Sequence, residues 1–203
     1  MPKPTAVIFD IGNVLITWNP ERVFDQLLPD QATRERLFRE VDLHGMNDAV
    51  DRGANFREAV SALADQHPEW RAEIEMWHDH WLDMASPAIP ESWDILQKLK
   101  ADGVPVHALS NFGIQTFELA ETVYDILSAF DRKYISGHMG VIKPDPRIYE
   151  MVEADSGLSG TEIFFTDDRA DNIEAAAARG WQTHQFTTPA ALAAALRDLG
   201  FAV

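Results

Sequence analysis

Cysteine is absent from the 203-residue chain, which excludes disulfides, thiolate nucleophiles and cysteine metal sites. No apolar run reaches the ~18 residues that a membrane-spanning helix needs. The N-terminal Met1-Pro2-Lys3-Pro4 leads straight into a strand-like segment, without the layout of a signal peptide. Positive charge is scarce: 17 basic residues face 33 acidic ones, a formal net charge of −16. A surface of that sign is a poor partner for nucleic acid or an anionic membrane. The expectation is a cytoplasmic protein, monomer or homodimer, with no nucleic-acid and no membrane partner. Repeats, low-complexity tracts and flexible linkers are missing as well. What is present, 46% apolar and 25% charged residues, suits a globular protein with a buried core.

Short strand-like segments alternate with helix patterns, and each strand ends in a polar group. Ala6 to Asp10 and Ile163 to Asp168 are continuous apolar runs closed by acids, as expected of parallel strands buried on both faces. Val104 to Ser110 and Tyr134 to Ser136 are similar, and Gln182 to Phe186 is a weaker fifth. Helices are predicted at Glu91 to Ala101, Phe112 to Glu121, Pro146 to Ala154, Asp171 to Arg179 and from Pro189 onward. This alternation implies an α/β fold with a Rossmann-like, doubly wound parallel sheet. Residues 17–89 break the rhythm, being helix-like throughout, with predicted helices at Glu21 to Leu28, Gln31 to Glu40, Phe56 to Gln66 and Glu69 to Met84. The simplest organisation is a core domain of residues 1–16 and 90–203 interrupted by a helical domain at 17–89.

In an open parallel sheet the ligand crevice lies beyond the carboxyl ends of the strands. That geometry gathers Asp10, Ser110 with Asn111, and Asp167 with Asp168, while Lys143 sits in the loop Gly140-Val141-Ile142-Lys143-Pro144 after the third strand. Carboxylates packed together repel unless a cation neutralises them. Mg²⁺ suits such a set, because it takes oxygen ligands and keeps waters for a substrate phosphate. The hydroxyl, amide and lysine are donors suited to a tetrahedral phosphate, and a carboxylate can attack phosphorus to form an aspartyl-phosphate.

Phe9-Asp10-Ile11-Gly12-Asn13-Val14, Leu109-Ser110-Asn111, Lys143-Pro144 and Phe165-Thr166-Asp167-Asp168 with Asp171-Asn172 resemble, in order, the four motifs of the haloacid dehalogenase-like (HAD) hydrolases. The helical insertion resembles that family's cap domain. Within the superfamily the chain is most similar to the bacterial α-D-glucose-1-phosphate phosphatase type. The resemblance implies a Mg²⁺-dependent phosphatase acting on a small phosphorylated metabolite, such as a sugar phosphate. It implies that Asp10 is nucleophile and metal ligand and that the Gly12 carbonyl is a second ligand. Ser110 and Asn111 would hold the phosphoryl group, and Lys143 would neutralise nucleophile and phosphate. Asp168 would bind the metal directly, with Asp167 orienting metal-bound water.

Other residues compete with blander roles. Trp70, Trp77 and Trp81 share one helical face and read as core of the helical insertion. Trp18, at the hinge after the first motif, and His44, in a stretch read as a loop around Gly45, are candidates for the substrate pocket. Gly12 stands where many phosphatases of the superfamily carry a second Asp as acid–base, a role typically worth ~10²–10⁴ in rate. Two other readings follow: a 2-haloacid dehalogenase using Asp10 without metal, or a phosphate-ligand-binding protein that has lost turnover. The paired acids Asp167 and Asp168 favour the metal-dependent phosphatase.

Overall fold

The computed structural model describes residues 2–203. Its sheet is built outward from Ala6–Phe9 (β1), four apolar residues that are all buried. Val106–Ser110 (β2) pairs on one side of β1 and Ile163–Asp167 (β4) on the other. Arg132–Ile135 (β3) and Gln182–Gln185 (β5) complete a five-stranded sheet of order β3-β2-β1-β4-β5. Every pairing is parallel, which requires a crossover between strands and covers both faces.

The period-2 alternation of side chains splits the core accordingly. Val7 and Phe9 point into one apolar cluster, with Leu96 and Leu99 of Pro90–Ala101 (the seventh helix) and Leu192 and Leu196 of Pro189–Asp198 (the last). Ile8, Leu109 and Phe165 point into the other, against Ile148, Tyr149 and Val152 of Pro146–Ser156 and Ala176 of Ala170–Ala178. The doubly wound α/β sheet expected from the sequence is therefore the architecture found, with strand boundaries shifted by one or two residues.

Numbered in chain order, the helices of residues 17–89 are α1 (Pro20–Leu27), α2 (Gln31–Glu40), α3 (Leu43–Asp51), α4 (Phe56–Gln66), α5 (Arg71–Asp79) and α6 (Trp81–Met84). Their starts are written in the sequence: Asn19, Asp30, Asp42 and Asn55 each accept a backbone N–H of the first turn. Two expectations fail here. His44 to Met46 is not a loop but the first turn of α3. Gly45 is there because its N–H donates to the Asp42 cap at 2.9 Å, and a Cβ on it would meet Asp42 Oδ2 at 2.1 Å. The helix expected from Glu69 to Met84 is broken in two at His80, after a 3₁₀ turn over Pro68–Trp70. Trp70, Trp77 and Trp81 are nonetheless all buried.

The two strands of chain linking this helical block to the sheet run side by side. Thr17 N donates to Pro87 O at 2.8 Å, Ile89 N to Leu15 O at 2.8 Å, and Asn19 N to Met84 O at 2.9 Å. Apolar packing is continuous across the junction, from Phe9 and Ile11 through Leu15 to Phe24 and Trp77. Among the described residues, no helix is long and apolar enough to cross a membrane.

Candidate active site

The order of the strands puts a topological switch point beside β1: the chain adds β2 and β3 on one side of it, then crosses to add β4 and β5 on the other. Asp10 is the first residue past β1 and is anchored there by its N–H, which donates to Thr166 O at 2.9 Å. Its carboxylate is then held from three sides. Asp10 Oδ1 accepts from Ile11 N at 2.7 Å and Ser110 Oγ at 2.6 Å, and lies 3.0 Å from Lys143 Nζ. No protein hydrogen bond reaches Asp10 Oδ2 among the described residues.

Lys143 is 2% exposed, a position where an isolated ammonium could not stay charged. Burial works to lower its pKa, but Asp10 and Asp167 outweigh that and hold it above the ordinary lysine value. Lys143 Nζ also donates to Asp167 Oδ2 at 2.6 Å and to Leu109 O at 2.9 Å. Asn111 fixes the lysine's backbone: Asn111 Nδ2 donates to Lys143 O at 3.0 Å, and Lys143 N donates to Asn111 Oδ1 at 2.7 Å. The Asn111 amide side chain, expected to help hold phosphate, is committed to this pair. The N–H groups of Asn111 and Gly12 donate to no protein acceptor among the described residues and remain available to an anion.

Asp167 and Asp168 divide sharply. Asp167 is fully buried and both its oxygens are occupied, by Lys143, Asn172 Nδ2 and Arg169 N. Asp168 is half-buried and receives one hydrogen bond from another side chain, Asn13 Nδ2 to Oδ2 at 3.0 Å. Asn13 adopts the left-handed conformation (φ 54°) that Asn tolerates better than most residues, and its Oδ1 accepts from Trp18 N at 2.9 Å. The loop after β1 is thereby tied to the end of β4. The bridge pairing Gly12 with Ile16 leaves the Gly12 carbonyl without a protein donor.

Asp10, Asp167 and Asp168 each bring an oxygen within 4.8 Å of the others. Burial first, then Asp167 and Asp168, push Asp10 up to about 7 against the pull of Lys143 and Ser110. Burial likewise raises Asp168. The oxygen donors of this cluster are of the hard kind that Mg²⁺ takes. Asp10, Asp168 and the Gly12 carbonyl are the groups free to hold it; Asp167 is already saturated.

These groups floor a cleft of about 500 Å³ between the sheet and the helical block. Every candidate site residue expected from the sequence lines it except Asp167, which is fully buried. Trp81 and Phe112 line the cleft together with Trp18 and His44. The Trp18 ring packs 5.7 Å from Trp81 and 6.1 Å from Trp77. His44 sits at the exposed rim, 3.2 Å from Glu21 Oε1. Sequence reasoning missed Asn47, Asp48 and Asp51, which also line the cleft. The signal is the i, i+3, i+4, i+7 spacing of His44, Asn47, Asp48 and Asp51, opposite the buried Leu43, Met46 and Val50 of α3. It is visible only once α3 is known to be a helix.

A family model described as "haloacid dehalogenase-like hydrolase" matches residues 4–180. A sesquiterpene phosphatase of Aspergillus oryzae is 27% identical over 96% of this chain and 95% of its own length. An (S)-2-haloacid dehalogenase of Pseudomonas fluorescens is 33% identical, but over only 43% of this chain and 39% of that one. In structure, the HAD family enzyme BT-2542 of Bacteroides thetaiotaomicron, solved with magnesium and inorganic phosphate, superposes with a TM-score of 0.70 at 22% identity. That likeness covers 91% of this chain and 95% of that one, and it shows the shared fold. With the family model spanning most of the chain and the fold in agreement, this protein belongs to the haloacid dehalogenase-like hydrolases.

Proposed function

We propose that this hydrolase is a Mg²⁺-dependent phosphatase that cleaves a small phosphorylated metabolite through an aspartyl-phosphate on Asp10, with residues 17–89 acting as its cap. The observation that carries the reading is the triple hold on Asp10 Oδ1 by Ser110, Ile11 N–H and Lys143, with the half-free Asp168 in the same carboxylate cluster. A buried, immobilised carboxylate facing a donor-lined cleft is what nucleophilic attack on phosphorus requires.

Each residue then has a task. Asp10 attacks phosphorus and the ester P–O bond breaks. Ser110 Oγ and the N–H groups of Gly12 and Asn111 accompany the phosphoryl oxygens. Lys143 neutralises both Asp10 and the incoming phosphate, and Asp167 keeps that lysine charged and in place. Mg²⁺, when held by Asp10, Asp168 and the Gly12 carbonyl, supplies the remaining neutralisation of phosphate charge. Water then attacks the aspartyl-phosphate and regenerates Asp10.

The aromatic wall of Trp18, Trp81 and Phe112 suits either a stacked sugar ring or a wholly apolar group. A sugar phosphate is therefore one substrate class, and the named activity of the Aspergillus oryzae relative adds isoprenoid phosphates as another. The dehalogenase reading has the partial-length relatives behind it, but it leaves the Asp10–Asp168 pair without a purpose. A screen of sugar phosphates and isoprenoid phosphates, with Mg²⁺ and with EDTA, tests the proposal. Phosphate release that requires Mg²⁺ supports it; halide release from a 2-haloacid in EDTA, without any phosphatase activity, overturns it.

A further inference from the structure

A phosphatase with glycine at position 12 still needs a group to protonate the leaving oxygen and to activate water. The titratable side chains of the cleft outside Asp10, Asp168 and Lys143 are His44, Asp48, Asp51 and Arg169. Three are engaged elsewhere at the surface: His44 with Glu21, Asp48 with Arg52 at 3.9 Å, and Arg169 with Asp171 at 2.6 Å. Asp51 alone has no ion-pair partner among the described residues.

It is also anchored by hydrogen bonds to its surroundings. Asp51 Oδ2 accepts from Asn47 Nδ2 at 3.0 Å, and Asn47 Oδ1 accepts from the buried Trp77 Nε1 at 3.3 Å. The Asp51 carbonyl accepts from Ser136 Oγ at 2.6 Å, and Ser136 Oγ in turn accepts from Phe112 N at 2.9 Å. Gly53, two residues on (φ 104°), has Gly137 O where a Cβ would lie, at 2.7 Å. The end of α3 is thus bolted to the loop after β2 and to the short helix Ser136–Met139 after β3, so Asp51 is registered to the catalytic floor and not only to the cap.

We propose that Asp51 is the general acid–base of this enzyme, filling from the cap side of the cleft the role that Gly12 leaves vacant. The inference rests on the phosphatase reading above. In the first step the Asp51 carboxyl gives its proton to the leaving-group oxygen as Asp10 bonds to phosphorus and the ester bond breaks. In the second, the Asp51 carboxylate takes a proton from the water that attacks the aspartyl-phosphate, releasing inorganic phosphate and Asp10. The charged groups facing Asp51 are Asp48, Arg52 and Asp10; burial and the two acids push its pKa up to about 7 against the Gly113 N–H and Arg52, which suits a group that must both give and take a proton near neutrality.

The test uses kcat/KM, which reports the step that breaks the ester bond, across aryl phosphates of rising leaving-group pKa in Mg²⁺. For Asp51→Asn the loss is expected to be small with p-nitrophenyl phosphate and to grow to roughly 10²–10⁴-fold with phenyl phosphate. Gly12→Asp in the Asp51→Asn background is expected to restore the phenyl ester: φ at Gly12 is not positive, and a Cβ there meets nothing nearer than Trp18 Cβ at 3.9 Å. A loss equal for all leaving groups, or no loss, overturns the role of Asp51 while wild-type turnover upholds the phosphatase. A wild type that hydrolyses none of the esters overturns both.

Discussion

The Asn111 side chain holds the Lys143 backbone by a pair of hydrogen bonds: its Nδ2 donates to Lys143 O at 3.0 Å and its Oδ1 accepts from Lys143 N at 2.7 Å. A side-chain amide here copies a strand pairing and fixes a loop residue whose ammonium must reach Asp10. The buried end of the lysine is positioned by the asparagine as much as by its ion partners.

Removing that grip is expected to damage catalysis without removing any charge. Asn111→Ala leaves one donor and one acceptor of the Lys143 backbone unpaired, at a cost of about 1–3 kcal/mol. Displacing the lysine by an ångström is worth about 10²-fold in rate. Steady-state kinetics should show kcat falling by roughly 10–100-fold. Asn111→Asp, which keeps the acceptor and loses the donor, should lie between. An Asn111→Ala enzyme with wild-type kcat would show that the loop holds itself.

Lys143→Met leaves Asp10 and Asp167 buried beside one another with no cation. Breaking a buried charge pair in this way costs about 3–5 kcal/mol, which for a chain of this size lowers Tm by roughly 6–20 °C. Mg²⁺ should recover part of that loss by returning positive charge to the cluster. Thermal melting with Mg²⁺ and with EDTA reads both effects, and an unchanged Tm would contradict the ion-pair account.

Stability should also fall with rising pH in the absence of metal. The folded-state pKa of Asp51 is raised to about 7, chiefly by burial, against an unfolded value of about 3.9. The folded chain therefore binds more protons between those values, so the stabilisation is complete below about pH 4 and is lost as pH climbs through about 7. Urea unfolding in EDTA from about pH 5 to about pH 8 should show the wild type losing stability, with Asp10 and Asp168, also raised by burial, adding to the slope. Asp51→Asn removes one of these titrations and should flatten it. Parallel slopes for the two proteins would contradict an elevated Asp51.

Much of this site is legible in the sequence, because a central parallel strand declares itself. Ala6–Phe9 has no polar side chain, and an acid directly after such a run lands on the ligand side of the sheet. The same logic located Ser110, Asp167 and Asp168. Contacts between distant residues could not be read in this way. Whether the Asn111 side chain faces phosphate or the Lys143 backbone depends on a contact across 32 residues of sequence. Gly45 misled because glycine near a helix start looks like loop, whereas here it makes room for the Asp42 cap. That single misreading hid α3, and with it the polar face that carries Asp51 into the cleft. His80 broke the predicted long helix at a residue with no helix-breaking signature, where the chain turns so that Trp81 can reach Trp18 and Phe112.

The central claim is that Asp10 is the nucleophile of a metal-dependent phosphatase, and phosphate release by wild type and Asp10→Asn, each with Mg²⁺ and with EDTA, tests it most directly. The substitution keeps the side chain's size and removes its negative charge. The account predicts phosphate release from p-nitrophenyl phosphate by the wild type in Mg²⁺ only, and background release by Asp10→Asn under both conditions. Turnover by Asp10→Asn at the wild-type rate, or wild-type turnover indifferent to EDTA, would contradict it.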